Sequence, residues 1–210
     1  MKILIAVPCM DQVAAPFAQS LASLNKVGDC AVSFMCNSLI YDSRNRLAKQ
    51  ALEIEADYIM WFDSDMIFPS DTLQKLLDDD VDIVSGLYFR RLSPFTPVIF
   101  SSCEKDEQGY YKWKDCTKYP EEMFEVAGIG FGCVLVKTDV FLEMFGKFGD
   151  CFTPLGKFGE DLSFCFRAKE LGYKIHCDPR IKCGHVSHSV VTEEFYKAYS
   201  FGGIFNESDS

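Results

Sequence analysis

Along the first ninety residues, short apolar runs alternate with stretches whose apolar positions recur every three or four residues. Residues 2–7 (KILIAV) form a continuous apolar run closed by Pro8, the pattern of a strand buried on both faces of a parallel sheet. Residues 16–27 read as a helix with Phe17, Leu21 and Leu24 inward and Gly28 as its stop. A strand is expected over 31–36. A helix follows over 43–56, with Ser43 as its cap and Leu47, Ala48, Ala51 and Leu52 on one face. Residues 58–62 (YIMWF) form a third strand that runs directly into Asp63-Ser64-Asp65. Pro69 and Ser70 open a helix to about Asp79, and residues 83–87 give a fourth strand. Strand and helix in alternation predict a doubly wound, mostly parallel sheet with its ligand at the carboxyl ends of the strands.

The second half has another rhythm. Strands are expected over 96–100 and 110–113 around the turn-rich residues 106–109, which makes a hairpin, and over 124–127 and 131–136 around Gly128-Ile129-Gly130. Thr138 is read as the cap of a helix to about Phe145. A helix over 161–171 stops at Gly172, a strand follows over 174–177, a short helix over 193–199, and a frayed tail over 206–210. No repeat, low-complexity segment or linker interrupts the chain. The expected organisation is one domain over residues 1–210, with a nucleotide-sugar half at 1–92, an acceptor half at 93–190 and a tail at 191–210.

Composition narrows the function. A net charge of −10 speaks against an electrostatic grip on nucleic acid or anionic lipid. It leaves room for a nucleotide held through a divalent cation, since carboxylates bind the cation and the cation binds phosphate. Nineteen Phe and nine Tyr supply large burial per residue. The ten cysteines are irregularly spaced with no C-x-x-C, the five-residue apolar run ended by Pro8 is not expected to act as a signal peptide, and no apolar run approaches the ~20 residues of a membrane span. Reduced thiols in a cytoplasmic protein are therefore expected.

Asp63 and Asp65 stand out by context rather than by spacing, because Asp78/Asp80 and Asp80/Asp82 share that spacing. Only the first pair ends a very apolar strand and is followed by Met66-Ile67-Phe68. Carboxylates placed between such runs are costly unless paired, and Mg²⁺ or Mn²⁺ bridging carboxylates to phosphates removes that cost. The alternative is a pair of capping or loop aspartates.

With these residues in view, the chain resembles a GT-A-fold glycosyltransferase, similar to the family 2 type, over roughly residues 1–190. The resemblance implies a mostly parallel central sheet flanked by helices, with a smaller antiparallel sheet on the acceptor side. It also implies hexosyl transfer from a nucleotide-sugar, a UDP-sugar first, to a carbohydrate or other hydroxyl acceptor. By that likeness Pro8, Cys9 and Met10 contact base or ribose. Ser43-Arg44-Asn45 resembles a small-Arg-Asn segment that brings Arg44 to the nucleotide, and Asp63, Ser64 and Asp65 match the D-x-D positions. The loop from Gly128 to Gly132 resembles the glycine loop before the inner strand, with Gly130 near the sugar. Glu160-Asp161 resembles the acidic pair at the acceptor, and His185 completes a metal shell with Asp65 and Asp63.

Each residue also has a plainer reading. Arg44 fits a surface helix position, the glycines fit a tight turn, and Glu160-Asp161 fits the first turn of a helix, whose dipole favours acids. The functional reading makes Asp161 the general base of a single displacement with inversion. Cys177, Cys183, His185 and His188 raise a zinc alternative, weakened by the lack of close ligand pairs. A nucleotidyltransferase would need a Gly-rich phosphate loop where the chain has Pro8-Cys9-Met10-Asp11-Gln12. A non-catalytic carbohydrate- or nucleotide-binding protein on the same fold is the third reading.

Overall fold

The computed structural model describes residues 1–105, 107 and 111–187. Residues 106, 108 and 109 of the expected turn, Tyr110, His188, the helix at 193–199 and the tail lie outside the described residues.

Among the described residues, seven strands form the central sheet: β1 (Lys2–Pro8), β2 (Asp29–Met35), β3 (Tyr58–Phe62), β5 (Ile83–Leu87), β8 (Phe124–Val126), β10 (Cys133–Lys137) and β11 (Ile175–Lys182). Their order is β2-β1-β3-β10-β5-β11-β8. β1 pairs in parallel with β2 and β3, and β5 with β11, whereas β10 runs antiparallel between β3 and β5. A strand from the second half thus completes the middle of the sheet begun by the first. A separate antiparallel sheet holds β6 (Ile99–Lys105), β7 (Tyr111–Asp115) and β9 (Gly128–Ile129), and the pairing of β6 with β7 is the expected hairpin. The mostly parallel sheet with a small antiparallel one beside it matches the predicted fold class.

Alternation along the strands divides the core between two faces. Leu4, Ala6, Ile59, Trp61, Val134 and Val136 pack toward α2 (Ile40–Glu53), α4 (Thr138–Phe148) and α5 (Glu160–Glu170). Ile3, Ile5, Val7, Met60, Phe62 and Leu135 pack toward α1 (Ala15–Ser23) and α3 (Thr72–Asp78). The Phe-rich composition is explained by the first face, where Trp61, Phe131, Phe141, Phe152 and Phe164 meet edge-on, tilted or stacked at centroid distances of 4.7–6.1 Å.

Several boundaries differ from the sequence expectation. α1 ends at Ser23, and Gly28 serves a different need: its φ is +71°, and a Cβ there would lie 2.6 Å from the Met1 carbonyl oxygen. α2 begins at Ile40, so Ser43 sits in its first turn and bonds the Ser38 hydroxyl at 2.6 Å instead of capping. Thr138 likewise is the first residue of α4, after Lys137, and makes no cap bond. β11 continues to Lys182, well past the expected end at Cys177. Pattern reading also passed over two short strands, β4 (Met66–Ile67) and β12 (Gly184–His185), which pair antiparallel.

Candidate active site

The β4–β12 ribbon decides the geometry of the site. It sets His185 opposite Met66, one residue from Asp65. The Asp65 carbonyl accepts the Val186 amide at 2.8 Å, the Ser64 carbonyl accepts the Ala14 amide at 2.9 Å, and the Asp63 amide donates to the Gly132 carbonyl at 3.1 Å. The D-x-D backbone at the end of β3 is therefore held from three sides, which leaves its carboxylates to be aimed by their partners.

Those carboxylates point to different ones. Asp63 Oδ1 accepts from Arg44 Nη2 at 2.8 Å. Asp65 Oδ2 lies 2.6 Å from Arg91 Nη1 and 3.4 Å from His185 Nε2. Burial alone would raise the Asp65 carboxyl, but the His185 bond, its charge and that of Arg91 outweigh it and hold the group below its ordinary value. The bond to Asp65 raises His185, against the opposing effect of burial.

Arg44 is 1% exposed and forms the floor of the site. Its guanidinium bonds Asp63, approaches Glu160 Oε1 and Asp161 Oδ1 at 3.6 Å each, and lies over the rings of Phe131, Trp61 and Phe152 at 5.2–5.9 Å. Burial opposes its charge, yet the three carboxylates raise its pKa further than burial lowers it. The surface-helix reading of Arg44 does not fit this placement. Asn45 faces elsewhere, its Oδ1 accepting the amides of Cys151 and Phe152 at 3.0 Å each.

Glu160 and Asp161 open α5 behind Gly159 and face the same cleft. Asp161 Oδ2 accepts the Phe131 amide at 3.3 Å. Burial first, then the charges of Glu160 and Asp63, push its pKa well above the usual carboxylate range, although Arg44 opposes them.

Two adjoining cavities open over these groups. One, of about 290 Å³, is lined by Pro8, Cys9, Met10, Ser43, Arg44, Asp63, Ser64, Asp65, Arg91, Glu160 and His185. The other, of about 570 Å³, is lined by Asp63, Tyr88, Arg90, Arg91, Val98, Asp115, Asp161 and His185. Every predicted site residue but Gly130 lines one or both. Gly130 is walled off by packing: a Cβ there would lie 2.1 Å from the Tyr88 hydroxyl oxygen and 2.6 Å from Val98 Cγ1. Arg90, Arg91 and Asp115 line the site although sequence reading passed over them, and Tyr88 lines it too, its hydroxyl accepting the Gly132 amide at 3.1 Å. The zinc alternative fails on topology, since Cys177 and Cys183 pack into opposite faces of the sheet.

Among the described residues, no three His, Cys, Asp or Glu side chains converge as a ready-made metal cage. What the site offers is a carboxylate beside an imidazole. His185 Nδ1 lies 2.9 Å from the Phe89 carbonyl, so Nδ1 carries a proton and Nε2 faces Asp65. A carbonyl behind one ring nitrogen is the arrangement that presents the other to a metal. Mg²⁺ and Mn²⁺ are commonly held by one or two side chains with substrate phosphates and water supplying the rest, so these residues fit such an ion.

No protein-family profile matches the chain, and no curated relative matches it. Solved structures do. One is "Crystal Structure of A197 from STIV", at 20% identity and a TM-score of 0.63, covering 89% of this chain and 86% of that one. Another is "Crystal structure of GalNAc-T7 with UDP, GalNAc and Mn2+", at 12% identity and a TM-score of 0.60. That alignment covers 90% of this chain and 43% of the GalNAc-T7 chain, so this chain spans under half of that protein's length. The chain has the GT-A fold. Identities this low carry the fold and no family within it. Among the described residues, no helix is long and apolar enough to cross a membrane.

Proposed function

We propose that this GT-A protein is a metal-dependent glycosyltransferase that moves a sugar from a nucleoside diphosphate to an acceptor hydroxyl with inversion. The observation that carries the reading is the Asp65–His185 pair, whose His185 lines both of two adjoining cavities, the second of them also lined by Asp161. The neighbour solved with UDP, GalNAc and Mn²⁺ supports the donor and ion class.

Asp65 and His185 would hold the ion, which when bound neutralises charge on the departing diphosphate. The smaller cavity, with Pro8, Cys9 and Met10 at its rim, takes the nucleoside, and the larger takes the sugar and acceptor. Asp161 removes the acceptor's hydroxyl proton as that oxygen bonds to the anomeric carbon and the carbon–phosphate-oxygen bond breaks. Its raised pKa suits this work, because a carboxylate disfavoured in its charged form is the stronger base. Asp63 acts one step back: its bond to Arg44 fixes the strand end and keeps Arg44, Glu160 and Asp161 in register.

The test separates binding from turnover. A panel of UDP-, GDP- and dTDP-sugars is incubated with the protein and Mn²⁺, and release of nucleoside diphosphate is followed with and without added sugar acceptors. Asp161→Asn should bind donor as wild type does while losing turnover. Turnover that survives in Asp161→Asn would remove that residue from the role of base, and binding without any turnover in wild type would favour the non-catalytic reading.

A further inference from the structure

The Arg91 side chain occupies the carboxylate oxygen that a cation would need. Asp65 Oδ2 is the atom closest to both Arg91 Nη1, at 2.6 Å, and His185 Nε2, at 3.4 Å. One lone-pair face of one oxygen cannot serve a guanidinium and a divalent ion at full strength together.

The segment around Arg91 is built as a fixed base with a free arm. Its carbonyl accepts the Ser187 hydroxyl at 3.1 Å, and the preceding Arg90 amide donates to the Thr96 carbonyl at 2.9 Å. The Val98 amide donates to the Tyr88 carbonyl at 3.0 Å, closing the turn that carries residues 89–97. Against this pinned backbone the Arg91 side chain is 55% exposed and borders both cavities. The other two guanidiniums of the site are committed elsewhere: Arg44 is buried under its carboxylates, and Arg90 is held by Asp115 at 2.9 Å and by the Thr96 hydroxyl at 3.0 Å.

We infer that Arg91 is an exchangeable arm. In the ligand-free chain it stands in for the cation at Asp65, and when a divalent ion takes that position Arg91 turns to the diphosphate of the donor. The inference rests on the functional reading above. A guanidinium suits both states, since its planar fork pairs with a carboxylate or with two phosphate oxygens, and it is hydrated weakly enough to change partners. Ion and arm then compete for Asp65 when no nucleotide is present and cooperate on the diphosphate when it is. The change of partner keeps Asp65 neutralised throughout and places a positive charge where the leaving group develops negative charge.

The two affinities therefore respond to Arg91 in opposite directions. Mn²⁺ binding to the nucleotide-free full chain is measured by the electron paramagnetic resonance of free Mn²⁺. Affinities for UDP, GDP and dTDP at saturating Mn²⁺ are measured by calorimetry. Arg91→Gln should bind Mn²⁺ several-fold more tightly than wild type without nucleotide, and bind the preferred nucleoside diphosphate about tenfold more weakly with Mn²⁺ present, the scale of one charge-assisted contact. Arg91→Lys should fall between. A variant that merely misfolds loses both affinities, so the predicted gain in Mn²⁺ binding guards against that outcome. Unchanged or weaker Mn²⁺ binding, or an unchanged nucleoside diphosphate affinity, in Arg91→Gln overturns the inference. If wild type binds neither probe, the functional reading falls and takes this inference with it; if wild type binds both and Arg91→Gln is indistinguishable from it, only this inference falls.

Discussion

Arg44 and Asp63 meet at 2.8 Å beneath the cleft, and the same guanidinium is the shared counter-charge of Glu160 and Asp161. One buried cation thus ties the end of β3 to the start of α5. Removing it leaves three carboxylates beside an aromatic core with no compensation. Arg44→Met should lower unfolding free energy by about 3–5 kcal/mol, the cost of breaking a buried pair from one side. Arg44→Lys should recover little, because a point charge cannot reach three partners from one plane. Urea unfolding of both variants checks this, and a loss under about 1 kcal/mol for Arg44→Met would contradict it.

Tyr88 and Gly130 are fitted to each other. Gly130→Ala forces a methyl against the buried Tyr88 hydroxyl and Val98, so destabilisation toward the upper part of the usual ~1–3 kcal/mol for overpacking is expected. Adding Tyr88→Phe removes the nearest clash but leaves the Gly132 amide without its acceptor. A double-mutant cycle should therefore show favourable coupling between the two substitutions. Strict additivity would mean that the glycine answers to something other than Tyr88.

The pH dependence of turnover follows from Asp161. Burial and the neighbouring charges of Glu160 and Asp63 raise its pKa, so the deprotonated base forms only above the usual carboxylate range. The kcat/KM profile should rise with pH through a limb in that higher region. Glu160→Gln removes a like charge and should shift the limb toward lower pH. A limb at the ordinary carboxylate position in wild type, or no shift in Glu160→Gln, would count against Asp161 as the group being titrated.

Away from the site, Asp79 and the buried Asp178 share Arg180, at 2.9 and 2.8 Å. Burial and the Asp178 charge push Asp79 up to about 6 from 3.8, with Arg180 opposing. The native state then holds this proton more tightly than the unfolded chain. Its contribution is fully present below the unfolded value and is lost as pH rises through about 6. Asp79→Asn stays neutral, so its stability relative to wild type should increase between pH 4 and pH 7, by at most about 3 kcal/mol. Thermal unfolding curves of the two proteins that stay parallel over this range would contradict the assignment.

Much of the fold is legible in the sequence because its signals are local. The short apolar runs at β1, β3 and β5 suit a strand buried on both faces, and the amphipathic period of α2 names its own inner side. β10 joining the middle of the sheet antiparallel is not local, and no pattern within Cys133–Lys137 tells which neighbours it takes. Ser43 and Thr138 misled for a related reason: both are good cap residues by type, but tertiary packing started their helices elsewhere. In the site, Asp63 and Asp65 were visible as carboxylates ending an apolar strand. The contact of Asp63 with Arg44 was not, because it depends on how α2 packs, and His185, on a two-residue strand too short to carry a period, was set beside Asp65 only by the resemblance. Arg91 had a signal of sorts, an exposed Arg-Arg pair just beyond β5 at the ligand end of the sheet. Only proximity to Asp65 separates it from Arg90.

The most direct test of the account is calorimetric titration of UDP-, GDP- and dTDP-sugars into wild type and Asp65→Asn, each with and without Mn²⁺. At least one nucleotide-sugar should bind wild type in a Mn²⁺-dependent way, and Asp65→Asn should lose this dependence. Binding of none of them, or binding that is equal in Asp65→Asn and indifferent to Mn²⁺, would contradict it.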